Sequence, residues 1–121
     1  MNLSGAIYTA NEMRPNTLSE RIKREWIEEL DRLIWREVIC THEGDVGEMP
    51  TYTNADDGKE LLAPDPYASL YPQYIVMKID EAMGEYMKYN NSRAIFGESY
   101  NNFTWWYNRE HMPLGVKKVT F

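Results

Sequence analysis

The second half of the chain repeats bulky residues in alternating steps of four and three, and this repeat constrains the fold more than any other feature. The repeat comprises Ile75, Ile79, Ala82, Tyr86, Tyr89, Arg93, Phe96, Tyr100, Phe103 and Tyr107. Such spacing places every member on one face of an α-helix. The pattern fits either one continuous helix or two helices that meet at a bend near Asn90-Asn91, because Asn91 or Ser92 could cap a new helix. A mainly α-helical fold is predicted in both cases.

Two further helices are predicted in the first half. Residues 3–13 carry apolar side chains at helical spacing and precede Pro15, as expected for a short helix. A second helix is expected to begin after Thr17 or Ser19, either of which can cap it, and to end near Cys40. The fold class predicted is therefore a helical bundle with long C-terminal helices.

The second helix has one apolar stripe, and charged residues lie mostly on its other side. The stripe comprises Ile22, Trp26, Leu30, Leu33, Ile34 and Val38. This stripe and the repeat of the second half each need an apolar partner to leave water. The predicted contact joins Trp26, Leu30 and Ile34 to Ile79, Tyr86, Phe96, Tyr100 and Phe103.

Residues 41–66 lose the helical period and are rich in glycine, proline and acidic residues, so a loop insertion is predicted there. Within it, residues 51–53 and 60–62 flank a turn-prone segment, which favours a short β-hairpin. The chain is thus expected to form a single helical domain over residues 1–113 with the insertion 41–66. An extended C-terminal tail is predicted over 114–121, because this segment follows Pro113 and is rich in β-branched residues.

The charge balance argues against a protein that grips phosphates through a basic face. Thirteen basic residues stand against nineteen acidic ones, which gives a net charge of −6 and a pI near 4.9. No uninterrupted apolar run of about 18 residues occurs, and the first residues lack the pattern of a signal peptide. A soluble protein of the cytoplasm, without membrane contact, is expected.

The residues most similar to a catalytic or metal site are Cys40, His42 and Glu43, with His111 as a distant fourth ligand. Their spacing fits no zinc pattern, and a single cysteine forms no internal disulfide. No phosphate-binding glycine loop, nucleophile elbow or paired-histidine motif is present in the sequence. The expectation is a chain that is not an enzyme and needs no cofactor.

Aromatic residues make up 13% of the chain, and such residues anchor both cores and protein interfaces. Trp105 and Trp106 are adjacent on a predicted helix, so their side chains point about 100° apart. Both cannot easily face one narrow seam. We therefore predict that at least one of them contacts a partner protein.

Residues of both helical halves resemble the pattern of a known protein family. The resemblance lies in Trp26-Ile27, Leu30-Asp31, Ile34, Tyr67, Tyr71, Tyr74, Ile79-Asp80, Gly84-Glu85, Tyr89-Asn90-Asn91, Phe96, Tyr100, Phe103 and Tyr107-Asn108-Arg109. These residues are similar to the head-tail connector, or adaptor, proteins of long-tailed bacteriophages, and the likeness does not extend over residues 41–64. It implies a helical subunit of the virion, made in the host cytoplasm and built into the neck.

The resemblance implies a homo-oligomeric ring, commonly of twelve copies, that lies beneath the portal protein and docks the next neck or tail component. DNA would pass through this ring without specific binding. A twelve-fold ring multiplies the net charge of −6, so acidic loop residues are expected to face the channel and discourage DNA from sticking. The expected channel-facing residues are Glu43, Asp45, Glu48, Asp56 and Asp57.

The C-terminal tail is the expected docking element, together with the two tryptophans. An extended segment can add a strand to an exposed sheet edge, and the resemblance suggests the portal as recipient. The predicted partner-binding residues are Trp105, Trp106, Val116, Val119 and Phe121. Two alternatives stay open: a monomeric phage regulator or inhibitor that binds a host protein, and a metal-dependent enzyme that uses Cys40, His42 and His111.

Overall fold

Four α-helices account for most of residues 1–115, the part of the chain described by the computed structural model. The helices are α1, Leu3–Met13; α2, Glu20–Ile34; α3, Leu70–Ala82; and α4, Tyr86–Glu110. A π-helical turn, Trp35–Ile39, prolongs α2, and short 3-10 turns cover Asn54–Asp56 and Tyr67–Ser69. The prediction of a mainly α-helical fold is confirmed. Three predicted partner-binding residues, Val116, Val119 and Phe121, lie outside the described residues.

The first two helices begin and end close to where their capping residues predict. The Asn2 side chain accepts a hydrogen bond from the Gly5 backbone N–H at 2.8 Å, so α1 begins at Leu3. The Ser19 hydroxyl accepts from the Ile22 backbone N–H at 3.3 Å, so Ser19 rather than Thr17 caps α2. The π-helical turn carries the second helical segment to Ile39, in agreement with the predicted end near Cys40.

The long repeat of the second half forms two helices. The break lies at Met83-Gly84-Glu85, where Gly84 has a φ of +70°, a conformation that glycine adopts without steric cost. Of the two alternatives, the single continuous helix is wrong, and the two helices do not meet near Asn90-Asn91, since both asparagines are exposed residues inside α4. The turn reverses the chain, and α4 packs antiparallel along α3, with Tyr74 against Phe96.

The core is built by α1, α2 and α3, and α4 covers it from one side. Its fully buried side chains include Leu3, Ile27, Leu30, Ile34, Leu70, Tyr71, Ile75, Ile79 and Phe103. Phe103 is the one core hydrophobe that α4 contributes within the described residues, whereas Phe96 and Tyr100 are partly covered. The packing predicted for Tyr86 is wrong: it is 75% exposed, because the helix restarts at the turn and places Tyr86 at the tip of the α3–α4 hairpin.

The hairpin predicted inside the loop does not form. Thr53 and Asp56 instead close a capping box around the 3-10 turn that begins at Asn54. Residues 59–61 pair with the N-terminal segment, where the Leu3 N–H donates to the Lys59 carbonyl and the Leu61 N–H donates to the Met1 carbonyl, each at 3.1 Å. The second half of the expected hairpin is thus bound by residues 1–3 at the start of the chain.

Candidate functional site

The loop of residues 41–66 carries the whole formal net charge of the chain. Seven of the nineteen acidic residues lie in this loop, and its only basic residue is Lys59. The loop therefore has a charge of −6, and the remaining residues balance to zero. We call this segment the acidic loop. A charge this concentrated sets the loop apart from the rest of the surface.

The predicted channel-facing residues divide into two groups. Glu43, Asp45 and Glu48 are exposed and form no ion pair within residues 1–115. Asp56 is used locally, because its carboxylate accepts from the Thr53 backbone N–H at 2.7 Å, and this hydrogen bond lowers the pKa of Asp56. Asp57 lies 3.6 Å from the Arg24 guanidinium. The first three residues are therefore the carboxylates most available to a partner or to solvent.

A buried carboxylate on α2 fastens the acidic loop to the helices. Asp31 is fully buried and accepts hydrogen bonds from the Tyr52 hydroxyl, from the Tyr71 hydroxyl at 2.5 Å and from the Leu62 backbone N–H at 3.3 Å. The Tyr71 hydroxyl also accepts from the Ala63 N–H at 2.7 Å. Burial raises the pKa of Asp31, and the hydrogen bonds oppose that rise. Both halves of the loop are thus bound to one side chain.

The loop has two further attachments on the outer side of α2. The Arg32 Nε donates to the Pro50 carbonyl at 3.0 Å, and the Trp35 indole N–H donates to the Val46 carbonyl at 2.8 Å. These bonds orient the backbone of residues 46–50 and leave the carboxylate of Glu48 exposed. Residues 46–50 are therefore held against the second helical segment through neutral backbone groups rather than through their own charges.

A second buried carboxylate joins three helices. Asp80 on α3 forms an ion pair with Arg14 at 2.8 Å and accepts from the Ser92 hydroxyl of α4 at 2.9 Å. Neither Asp31 nor Asp80 was expected from the sequence to lie in the core. The available signal for Asp31 was its position, because Asp31 follows Ile27 by four residues and precedes Ile34 by three, which places it on the apolar face. Both carboxylates are occupied by structural partners.

The proposed metal ligands are not brought together. Both ring nitrogens of His42 are engaged, one with the Val38 carbonyl and the other with Asn108 Oδ1 at 2.6 Å. His111 stacks on the Tyr107 ring, with centroids 3.9 Å apart. Within residues 1–115 no three metal-ligating side chains converge. Cys40 is partly buried.

The two tryptophans on α4 face different surroundings. Trp106 stacks on Tyr67, with ring centroids 5.1 Å apart, and lies beside Phe103. Trp105 is 58% exposed on the outer side of α4. Trp106 therefore packs within the fold, and Trp105 is the member of the pair whose indole is exposed.

A second exposed apolar surface lies at the tip of the α3–α4 hairpin. Met83, Tyr86 and Met87 surround the Gly84 turn, and all three are exposed, Met87 by 89%. We call these three residues the hairpin tip. No period or motif in the sequence distinguishes these two methionines from core residues. Exposed apolar clusters of this kind often mark contact sites.

None of the helices in residues 1–115 combines the length and the apolarity that crossing a bilayer requires. Comparisons with protein families, with curated proteins and with solved structures return no match to this chain. The functional interpretation therefore rests on the surfaces and charges described above.

Proposed function

We propose that this chain is a structural subunit of a phage neck, a head-tail connector that forms a homo-oligomeric ring beneath the portal and docks the next neck or tail protein. One observation carries the proposal: the residues outside the acidic loop balance to zero charge and expose apolar surfaces on the helices, while the acidic loop carries the entire net charge. Such a division suits a subunit that packs against copies of itself and lines a passage for DNA.

The two exposed apolar surfaces support assembly into a ring. A subunit in a closed ring needs two different surfaces, one for each neighbour. The hairpin tip and Trp105 lie toward opposite ends of α4, and Met87 and Trp105 are separated by about 27 Å at 1.5 Å per residue. Methionine and tryptophan are both enriched in protein interfaces. The two surfaces therefore meet the minimum requirement for heterologous contacts.

The acidic loop supports a role beside passing DNA. Like charge between a channel wall and phosphates prevents tight binding, and salt-dependent attraction to DNA requires basic side chains. Glu43, Asp45 and Glu48 are exposed and unneutralised by ion pairs within the described residues. In a ring these carboxylates would repeat around the axis. Their placement agrees with a lumen over which DNA slides.

The buried titratable groups favour a structural role over catalysis. Three of these groups form hydrogen bonds with side chains or backbone groups of the fold: Asp31, Asp80 and His42. A catalytic acid or base must reach a substrate atom directly or through one water. This arrangement therefore favours a structural role over the alternative of a metal-dependent enzyme that uses Cys40, His42 and His111.

The decisive experiment mixes the full chain with its cognate portal protein and measures assembly by analytical ultracentrifugation and negative-stain electron microscopy. We expect rings on the portal for the parent protein. Trp105→Ala and Met87→Glu should each reduce ring formation, whereas Tyr8→Ala, which alters an equally exposed aromatic residue on α1, should not. A chain that stays monomeric with the portal at all concentrations would contradict the proposal and favour the monomeric regulator.

The charge argument has its own test. Replacing Glu43, Asp45 and Glu48 by lysine should leave the fold intact and create salt-dependent DNA binding in the assembled ring. Charge reversal at Glu12, Glu20 and Glu110 makes the same change in net charge away from the loop. If both triple variants bind DNA equally, the loop does not face the channel.

A further inference from the structure

One side of α4 lies uncovered along most of the helix within residues 1–115. Of its 25 residues only Ser92 and Phe103 are buried, and both lie on the side that packs against the core. No atom lies within 4 Å of the position that a side chain on Gly97 would occupy. The opposite side carries six exposed residues at helical spacing: Met87, Asn91, Ala94, Glu98, Asn101 and Trp105. We call these six residues the α4 outer face.

The α4 outer face has the same spacing when it is read from either end. Met87 and Trp105 are separated by five turns of about 3.6 residues, so both lie on one line along the helix, about 27 Å apart. Met87 is 89% exposed and Trp105 is 58% exposed. Ala94 lies two turns after Met87, and Glu98 lies two turns before Trp105. A surface of this kind can match a second copy of itself.

An antiparallel contact between two copies of α4 uses this spacing. When Met87 lies opposite Trp105 of a second copy, the two-fold symmetry places Trp105 opposite Met87 of that copy at the other end. Methionine sulfur and an aromatic ring attract each other. Asn91 then lies at the level of Asn101 of the second copy, and each amide can donate and accept a hydrogen bond. The contact is therefore self-complementary in both apolar and polar residues.

The charges of α4 favour the antiparallel arrangement. In this register Arg93 of one copy lies within about 1.5 Å, along the helix axis, of the level of Glu98 of the other. Both residues are exposed, and neither forms an ion pair within the described part of the chain. A parallel arrangement would instead place Glu98 beside Glu98 and align the two helix dipoles. Opposite charges meet only when the helices run in opposite directions.

The size of the α4 outer face indicates a weak contact. A strip about 27 Å long and about 10 Å wide amounts to about 540 Å² for two copies. Stable protein interfaces bury about 1,200–2,000 Å² in total, and smaller ones belong to transient complexes. A dimer formed through this face alone therefore dissociates on dilution.

We propose that two copies of the chain associate reversibly through their α4 outer faces, antiparallel, with Met87 of each copy against Trp105 of the other. This inference goes beyond the proposed function and does not rest on it, because it concerns the isolated chain. The dimer covers both residues that would contact neighbours in a ring. Dimer and ring contacts therefore compete, and the dimer restrains ring formation until a portal supplies stronger contacts.

The first test is sedimentation of the isolated full chain, without portal, over a range of concentrations. We expect a monomer–dimer equilibrium without larger species. Trp105→Ala and Met87→Glu should each weaken the dimer by about tenfold or more, because each removes an apolar anchor from both ends of the contact. Tyr8→Ala, which alters a 68% exposed residue of α1, should leave the equilibrium unchanged. A monomer at every concentration up to about 1 mM would overturn the proposal.

Thiol cross-linking tests the direction of the two helices in a Cys40→Ser background. The double variant Met87→Cys, Trp105→Cys should give a covalent dimer with a reagent much shorter than the 27 Å between these positions. Each single variant should stay uncross-linked, because antiparallel packing keeps its two introduced thiols about 27 Å apart. Cross-linking of the single variants would show a parallel dimer. A ladder of larger products from the double variant would show head-to-tail contacts, and either result would overturn the proposal.

Charge reversal tests the register. Arg93→Glu and Glu98→Arg should each weaken the dimer by about two- to tenfold, since each places like charges at one level in both symmetry-related positions. The variant that carries both changes restores opposite charges and should dimerise as the parent does. Helical content by circular dichroism should be the same in all three variants, because both residues are exposed. If the combined variant is as weak as the single variants, the two residues do not face each other and the proposed contact is wrong.

Discussion

Replacing Asp31 tests whether one buried carboxylate holds the acidic loop. In Asp31→Ala, the hydroxyls of Tyr52 and Tyr71 and the Leu62 N–H lose their shared acceptor. A buried polar group left without a partner costs about 1–3 kcal/mol. Tyr52 and Leu62 belong to the loop and regain water if the loop loosens, whereas Tyr71 is fully buried and cannot. Removing a desolvated charge offsets part of this loss, so we expect a net cost of about 2–4 kcal/mol.

Asp31→Asn separates the charge from the hydrogen bonds. The amide keeps the size of the side chain and one acceptor oxygen, and its NH₂ group can donate to one of the tyrosine hydroxyls. No charge is then buried, so the expected loss is about 0–2 kcal/mol. The matched control is Asp45→Asn, an exposed loop residue for which a change within about 0.5 kcal/mol is expected.

The pH dependence of the free energy of unfolding gives an independent test of the burial of Asp31. Burial raises the pKa of Asp31 in the folded protein above its value in the unfolded chain. The folded state therefore binds more protons between these two values, and the contribution of Asp31 to stability falls as pH rises through the raised folded pKa. Asp31→Asn should remove this part of the pH dependence, and Asp45→Asn should retain it.

Urea unfolding followed by tryptophan fluorescence measures these free energies, and limited proteolysis with trypsin at the exposed Lys59 measures loosening of the loop. Asp31→Ala should be cleaved at Lys59 faster than the parent, because the loop loses its central attachment. If Asp31→Ala unfolds within about 0.5 kcal/mol of the parent and Lys59 is cleaved at the parental rate, the carboxylate does not hold the loop.

Two pairs of substitutions test the packing of α4 and the turn between α3 and α4. Phe103→Ala removes a fully buried ring and should cost about 3–5 kcal/mol, whereas the nearby exposed Trp105→Ala should stay within about 0.5 kcal/mol. Equal losses in chemical unfolding would contradict the packing of α4. Gly84→Ala should destabilise by about 1–2 kcal/mol because φ is positive there, whereas Gly97→Ala, inside α4 with open space around the site, should stabilise by about 0.5–1 kcal/mol. Thermal melts that place both alanine variants on the same side of the parent would show that the turn is not set by Gly84.

Local signals predicted the helices well and their connections poorly. The caps at Asn2 and Ser19 act within three residues, and the period of α2 depends only on its own side chains. The turn at Gly84 was missed because the step from Ala82 to Tyr86 spans it and keeps the spacing of the repeat. The prediction of a β-hairpin in residues 51–62 was wrong because Leu61 pairs with Met1, a contact that no local sequence pattern indicates.

The sequence predicted which residue types form the candidate site but not the contacts that hold the acidic loop in place. The acidic residues of the loop could be identified from residue type, whereas the spacing of Trp105 and Trp106 indicated only that at least one of the two is exposed. The role of Asp31 could not be identified, since its partners Tyr52 and Tyr71 are 21 and 40 residues away in the sequence. An aspartate on an apolar helical face is ambiguous until the fold supplies its donors. The hairpin tip was overlooked because Met87 carries no period or motif that distinguishes it from core methionines.

Asp31 holds the acidic loop from inside the core, whereas the charge of the loop lies at the surface. The like charges of the acidic loop, −6 in total, repel one another. Surface ion pairs would hold the loop only weakly at high salt, and each pair would neutralise one of its carboxylates. Asp31 avoids both effects, because it binds the loop through neutral hydroxyls and an N–H in a site that salt screens little. The loop can therefore keep its position at high ionic strength while Glu43, Asp45 and Glu48 form no ion pair within the described residues. Protection of Lys59 from trypsin should accordingly change little between low and high salt, whereas any contact made by Glu43, Asp45 and Glu48 should weaken.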